Sequence, residues 1–108
     1  MSFGRLGIAV LSAGVETTIY TAPVLCAGAK INLNLVNPGA TDTVVDVALA
    51  NAAIATNAEY IERGVVVAAL GGTLEITGLM LSPGERVNVR SSINGAAVRV
   101  SGEELTTL

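Results

Sequence analysis

The sequence predicts an all-β protein: a single antiparallel β-sandwich, jelly-roll or immunoglobulin-like, of about seven or eight short strands. Three observations predict it. Apolar and polar residues alternate with a period of two over much of the chain. Turn-forming pairs and triplets (Asn37-Pro38-Gly39, Gly71-Gly72, Pro83-Gly84, Asn94-Gly95) recur between the alternating runs. The apolar residues are mostly Val, Ala, Leu and Ile, and aromatics make up only 3%. With 108 residues there is room for one modest core, so residues 1–108 are expected to form one sandwich domain.

The elements follow in order. GRLGIAVL, at residues 4–11, reads as a first strand rather than the apolar segment of a signal peptide. VETTIYTA is a second β-rich segment, stopped by Pro23. In the third, Ile31, Leu33 and Leu35 share one face, with Asn32 and Asn34 on the other. After Asn37-Pro38-Gly39, which suits a type II turn, Val45, Val47 and Leu49 repeat the pattern with Asp46 outward. These two runs are expected to form a wide hairpin. ALANAAIATNA, residues 48–58, reads as a strand end followed by a connection.

AEYIERGVVVAAL and TLEITGLML flank Gly71-Gly72. Leu74 and Ile76 differ in parity from Leu79 and Leu81, so Gly78 marks a β-bulge that restores the inward face. RVNVRSS and AAVRVSG surround Asn94-Gly95 and are expected to pair as a two-residue hairpin. In that register Ile93 opposes Ala96, Val89 opposes Val100, and Arg90 opposes Arg99 on the outward face. Like charges placed so destabilise each other by a few tenths of a kcal/mol. Either the long side chains splay into water, or a glutamate such as Glu75 or Glu85 neutralises them, or they await an acidic surface on a partner.

Composition narrows function. Hydrophobic residues make up 51% and charged residues 14%, which argues against intrinsic disorder and fits both a small Ala/Gly-rich chain and surface hidden in an assembly. The net charge of −3 argues against a nucleic-acid partner. No apolar run reaches the roughly 18 residues of a membrane-spanning helix. There is no histidine, so neither a Ser-His-Asp nor a Cys-His triad can be built within the chain.

Cys26 is the single cysteine and forms no intrachain disulfide, in keeping with a reducing cytosol; it reads as a small buried apolar residue. Glu59 with Glu62, and Glu103 with Glu104, read as solvated strand ends rather than a catalytic pair. No cofactor, no metal site and no catalytic residue is expected. The candidate functional residues are therefore interface residues: Arg90, Arg99, Asn32, Asn34 and Asp46.

Longer motifs carry a resemblance. IYTAP, then INLNLVNPGATDTVVDVALA, then AEYIERGVVVAALGGTLEITGLMLSPGERVNVRSSINGAAVRVSG, resemble the small β-sandwich virion proteins of tailed bacteriophages over about residues 18–104. The shared features are a Tyr-Thr-x-Pro entry, a strand alternating apolar residues with Asn, an AEYIE segment, and an LxxTGLxLxPGExVxVRS segment leading into VRVxGEE. The resemblance implies a non-enzymatic part of the particle, assembled in the host cytoplasm. Its members decorate or cement capsid shells, or serve as fibre, tail or neck modules, generally as symmetric oligomers.

Without a shaft repeat or second domain, this chain fits a capsid decoration or cement protein best. Its expected partners are copies of itself, as a trimer on three-fold shell positions, and the major capsid protein or other virion proteins. The alternatives are a neck, tail or fibre-base adaptor, or a receptor- or carbohydrate-binding module.

Overall fold

The computed structural model describes residues 3–105. Eight strands follow one another: β1 (Phe3–Val10), β2 (Thr17–Thr21), β3 (Gly28–Asn37), β4 (Thr43–Ala50), β5 (Tyr60–Val67), β6 (Gly72–Leu81), β7 (Arg86–Ser91) and β8 (Ala97–Leu105). A single 3-10 turn, Asn57–Glu59, precedes β5. The strands form two four-stranded antiparallel sheets, ordered β1-β8-β3-β6 (sheet A) and β2-β7-β4-β5 (sheet B).

The order has a simple logic. Strand β1 pairs β8, β2 pairs β7, β3 pairs β6 and β4 pairs β5, as in one long hairpin whose tip is the β4–β5 connection. Wrapped on itself, that hairpin adds the pairs β3·β8 and β4·β7. This is the jelly-roll order rather than the immunoglobulin one.

Period-two patterning explains the core. Ile31, Leu33 and Leu35 of β3 and Val98 and Val100 of β8 project from sheet A and are buried. They meet buried Val45 and Val47 of β4 and Val87 and Val89 of β7, projecting from sheet B. Tyr20 also faces inward, its hydroxyl donating to Glu104 Oε2 at 2.6 Å.

The predicted bulge at Gly78 is present. Two residues of β6 fit opposite Asn32, between the pairs Ile31–Leu79 and Leu33–Ile76, and Gly78 takes φ +72°. A second bulge, in β1 between Arg5 and Gly7, was not signalled by the sequence. Gly7 there lies so close to β2 that a β-carbon would sit 2.3 Å from the Ile19 carbonyl oxygen.

Two expected hairpins are absent. β3 and β4 lie in different sheets, as do β7 and β8, so both connections cross the sandwich. Arg90 is opposite Asp46, and Arg99 lies between Ile8 and Asn34. Val89 is opposite Thr17 and Val47, and Val100 opposite Gly7 and Leu33. The like-charge opposition therefore does not arise.

The turns differ too. Gly39 does not take the positive φ of a type II turn; instead Asn37 Oδ1 accepts from Gly39 N at 3.0 Å, an Asx turn. At residues 94 and 95 only Gly95 has positive φ. Gly95 N donates to Leu11 O at 3.0 Å and Asn94 Oδ1 accepts from Ala13 N at 2.7 Å, so this loop is braced on the β1–β2 connection. Cys26 is half-buried in the β2–β3 loop rather than in the core, its thiol 2.9 Å from Pro23 O.

Candidate interaction face

The two outer faces of the sandwich are unlike. On sheet B a row of outward positions runs Thr18, Asn88, Ala48, Tyr60 across β2, β7, β4 and β5. Asn88 is only 1% exposed, although its strand neighbours Val87 and Val89 point to the core. The β4–β5 loop lies over it. Asn88 Nδ2 donates to Ala52 O and Ala53 O at 3.0 Å and to Glu16 Oε2 at 2.8 Å, and its Oδ1 accepts from Thr18 Oγ1 at 2.8 Å.

Glu16 holds the loop from the other side, accepting from Ala55 N at 2.8 Å and from Tyr60 OH at 3.0 Å. Burial, reinforced by Glu16, raises the Tyr60 hydroxyl above its ordinary pKa. Arg63 stacks on the Tyr60 ring, 4.2 Å from its centre. This cluster was missed in the sequence. Asn88 stands between valines as Asn32 stands between an isoleucine and a leucine, and nothing local distinguishes the covered residue from the exposed one.

Among the described residues, no loop covers the outer face of sheet A in this way. One row runs Ile8, Arg99, Asn34, Glu75 across β1, β8, β3 and β6; the next runs Val10, Ala97, Val36, Thr73. Toward the other end come Arg5, Ser101 and Asn32, then Glu103, Lys30 and Met80. Ile8 is 62% and Val10 72% exposed because the bulge at Gly7 turns them outward. A shallow depression of about 440 Å³ opens over Ile8, Asn34, Val36 and Arg99.

Of the five candidate residues, sheet A brings together three: Asn32, Asn34 and Arg99. Asn34 Nδ2 lies 3.4 Å from Glu75 Oε2. Asn32 has a structural duty as well, since its Oδ1 accepts from Gly78 N at 3.0 Å and caps the β6 bulge. Asp46 and Arg90 are on sheet B, away from that group. Asp46 Oδ1 accepts from Gly64 N at 2.8 Å, capping a bulge in β5 where Gly64 takes φ +71°.

The glutamate pairs separate into local tasks. Glu59 accepts from Asn51 N at 3.0 Å and Thr56 N at 2.8 Å, and these bonds, the Thr56 one foremost, hold its carboxyl below the usual range. Glu103 stands opposite Lys30, while Glu104 binds Tyr20. Among the described residues, no three His, Cys, Asp or Glu side chains converge as metal ligands. Comparison with protein-family models, curated proteins and solved structures finds no match for this chain.

Proposed function

We propose that this chain is a non-enzymatic structural protein of a tailed-phage particle that decorates or cements the capsid shell by binding capsid subunits. The observation that carries the reading is the outer face of sheet A, which no loop among the described residues covers. It sets exposed Ile8 and Val10 beside Asn32, Asn34 and Arg99 on a rigid four-stranded platform. Interfaces of this kind combine an apolar part with a few positioned polar groups. A second patch suits a shell contact: Val24 and Leu25, 74% and 86% exposed, form the apolar tip of the β2–β3 loop.

Two further considerations support it. The motifs of residues 18–104 resemble those of phage virion proteins, and the jelly-roll order recurs in viral capsid domains, lectins and cupins. The second is analogy at the level of fold alone. The protein works as a homo-oligomer in the virion after assembly in the host cytoplasm. Three-fold shell positions favour a trimer.

Immunolabelling of gradient-purified particles from the phage or lysogen that carries the gene tests this reading. Label over the whole shell is expected. Label at the neck or tail alone replaces the cement role with an adaptor role. Unlabelled particles beside labelled free protein overturn the virion assignment and leave a receptor- or carbohydrate-binding module.

A further inference from the structure

We propose that the chain blocks strand addition at its own sides: bulges in the edge strands, two of them fixed by Asn32 and Asp46, keep a second copy from pairing with either sheet. This holds whether or not the protein belongs to a particle. The irregularities fall in one pattern. Among the described residues, each pair that includes an edge strand breaks register: β1 with β8, β2 with β7, β3 with β6, and β4 with β5. The inner pairs, β3 with β8 and β4 with β7, run without a break. The extra residue is on the edge strand each time. It is Leu6 in β1, Ile19 in β2, and one of Thr77 and Gly78 in β6. In β5 it is one of Arg63 and Gly64, with Ile61 besides.

The bulges of β6 and β5 share one construction. In sheet A, Thr77 and Gly78 oppose Asn32, Gly78 takes φ +72°, and its N donates to Asn32 Oδ1 at 3.0 Å. In sheet B, Arg63 and Gly64 oppose Asp46, Gly64 takes φ +71°, and its N donates to Asp46 Oδ1 at 2.8 Å. Both times an outward side chain of the second strand takes an edge N–H that a regular strand would hold in the plane of the sheet. A β-carbon at either glycine would meet nothing within 4 Å, so close packing does not call for glycine there. The left-handed backbone of the bulge does.

The chain lacks the commoner guards. Lysine and proline often protect an edge strand. Here the single lysine, Lys30, stands on inner strand β3, and Pro23, Pro38 and Pro83 are in connections. Meanwhile β5 carries Val65-Val66-Val67 and β6 carries Leu79-Met80-Leu81, uncharged apolar runs of the kind that pair readily with copies of themselves. A bulge bends such a strand and interrupts the row of N–H and C=O groups that an added strand needs. Partners are therefore met by the faces and loop tips, not by the sides.

Deleting one glycine straightens a strand without turning it over. Thr77 and Gly78 are both exposed between inward Ile76 and Leu79, so loss of Gly78 leaves Thr77 alone opposite Asn32. Loss of Gly64 likewise leaves Arg63 alone opposite Asp46. The test is light scattering coupled to size exclusion over a range of concentrations, with thioflavin T fluorescence, on the full chain and on each deletion. Wild type is expected to keep one size. Each deletion should grow into larger, thioflavin-positive species at concentrations at least about tenfold lower than any at which wild type does. One or two net hydrogen bonds supply that factor. Adding T77K to the Gly78 deletion should reverse the growth, because it sets a lysine on the straightened edge.

Folded deletion variants that stay the size of wild type overturn the proposal, as does wild type that grows in the same way. Circular dichroism establishes that each variant is folded. Should a deletion fail to fold, Asn32→Ala and Asp46→Ala carry the test at unchanged chain length. Each removes the acceptor that fixes a bulge and should bring the same growth; cap variants that keep the wild-type size overturn the proposal. Particle labelling is unaffected by either result, so the two readings fail separately.

Discussion

The side-chain amide of Asn88 donates to Glu16 across 2.8 Å, joining β7 to the segment ahead of β2 beneath the β4–β5 loop. Three elements distant in sequence are fixed through two side chains. Asn88→Ala leaves Glu16 and the Ala52 and Ala53 carbonyls short of a donor. It should cost about 2 kcal/mol in denaturant unfolding, the penalty for stranding buried polar groups. In Glu16→Ala, hydrogen exchange at the Ala55 amide should rise with the global fold retained. A loop equally protected in both variants would show that the network is not what holds it.

Acid should loosen the same loop through a second group. The folded state depresses the pKa of Glu59, since Thr56 N and Asn51 N bind its charged form. A depressed carboxyl contributes stability that is present above its unfolded pKa and is lost as pH falls through the folded value. Stability should therefore decline with acidification below the ordinary glutamate range, and Glu59→Gln should lessen that decline. Denaturant melts of both proteins across the acid range provide the check.

At the alkaline end the two tyrosines act together. Burial chiefly, with Glu104, raises the Tyr20 hydroxyl, and burial with Glu16 raises Tyr60. A phenol whose folded pKa exceeds its unfolded value of about 10 contributes stability that is complete below that value and is lost as pH rises toward the folded one. Phenolate absorbance of both tyrosines should then appear at higher pH than that of a free tyrosine, with stability falling as it appears. A titration of either tyrosine in the folded protein at the free-phenol value would contradict this.

Backbone conformation gives opposite expectations at Gly102 and Leu70. Gly102 takes φ +149° and packs where a β-carbon would lie 2.1 Å from Lys30 O, so Gly102→Ala should destabilise by about 3 kcal/mol or prevent folding. Leu70 takes φ +61° while 82% exposed. The left-handed conformation costs a non-glycine residue about 1–2 kcal/mol, more than the roughly 0.5–1 kcal/mol that glycine's extra chain freedom removes. Leu70→Gly should thus stabilise by about 0.5 kcal/mol, read from thermal or denaturant melts.

Strand faces were legible in the sequence, and strand partners were not. Ile31, Leu33, Leu35, Val45 and Val47 turned inward as their alternation required, with Asn32 and Asn34 exposed. Period two fixes which way a side chain points, but it is satisfied equally by apolar rows side by side in one sheet and by rows facing each other across a sandwich. The valines of β7 and β8 face each other across the core, so their alternation predicts a hairpin turn at Asn94-Gly95, which instead joins two sheets.

The one connection that does join neighbouring strands of a sheet, β4 to β5, carries no Gly or Pro signal. Its shape comes from Glu16, Asn88 and Glu59 instead. On the candidate face, Asn34 and Arg99 were visible as outward polar residues. Ile8 and Val10 were not, because the bulge at Gly7 that exposes them answers to the close approach of Ile19, a contact no local pattern encodes.

A building block of a particle, the role proposed above for this chain, is present at fixed stoichiometry. Quantifying its peptides against those of the major capsid protein, in gradient-purified particles washed at rising salt, tests it most directly. A fixed ratio that survives washing until the shell itself comes apart is expected. Peptides at trace level, or lost at the first wash, would contradict it.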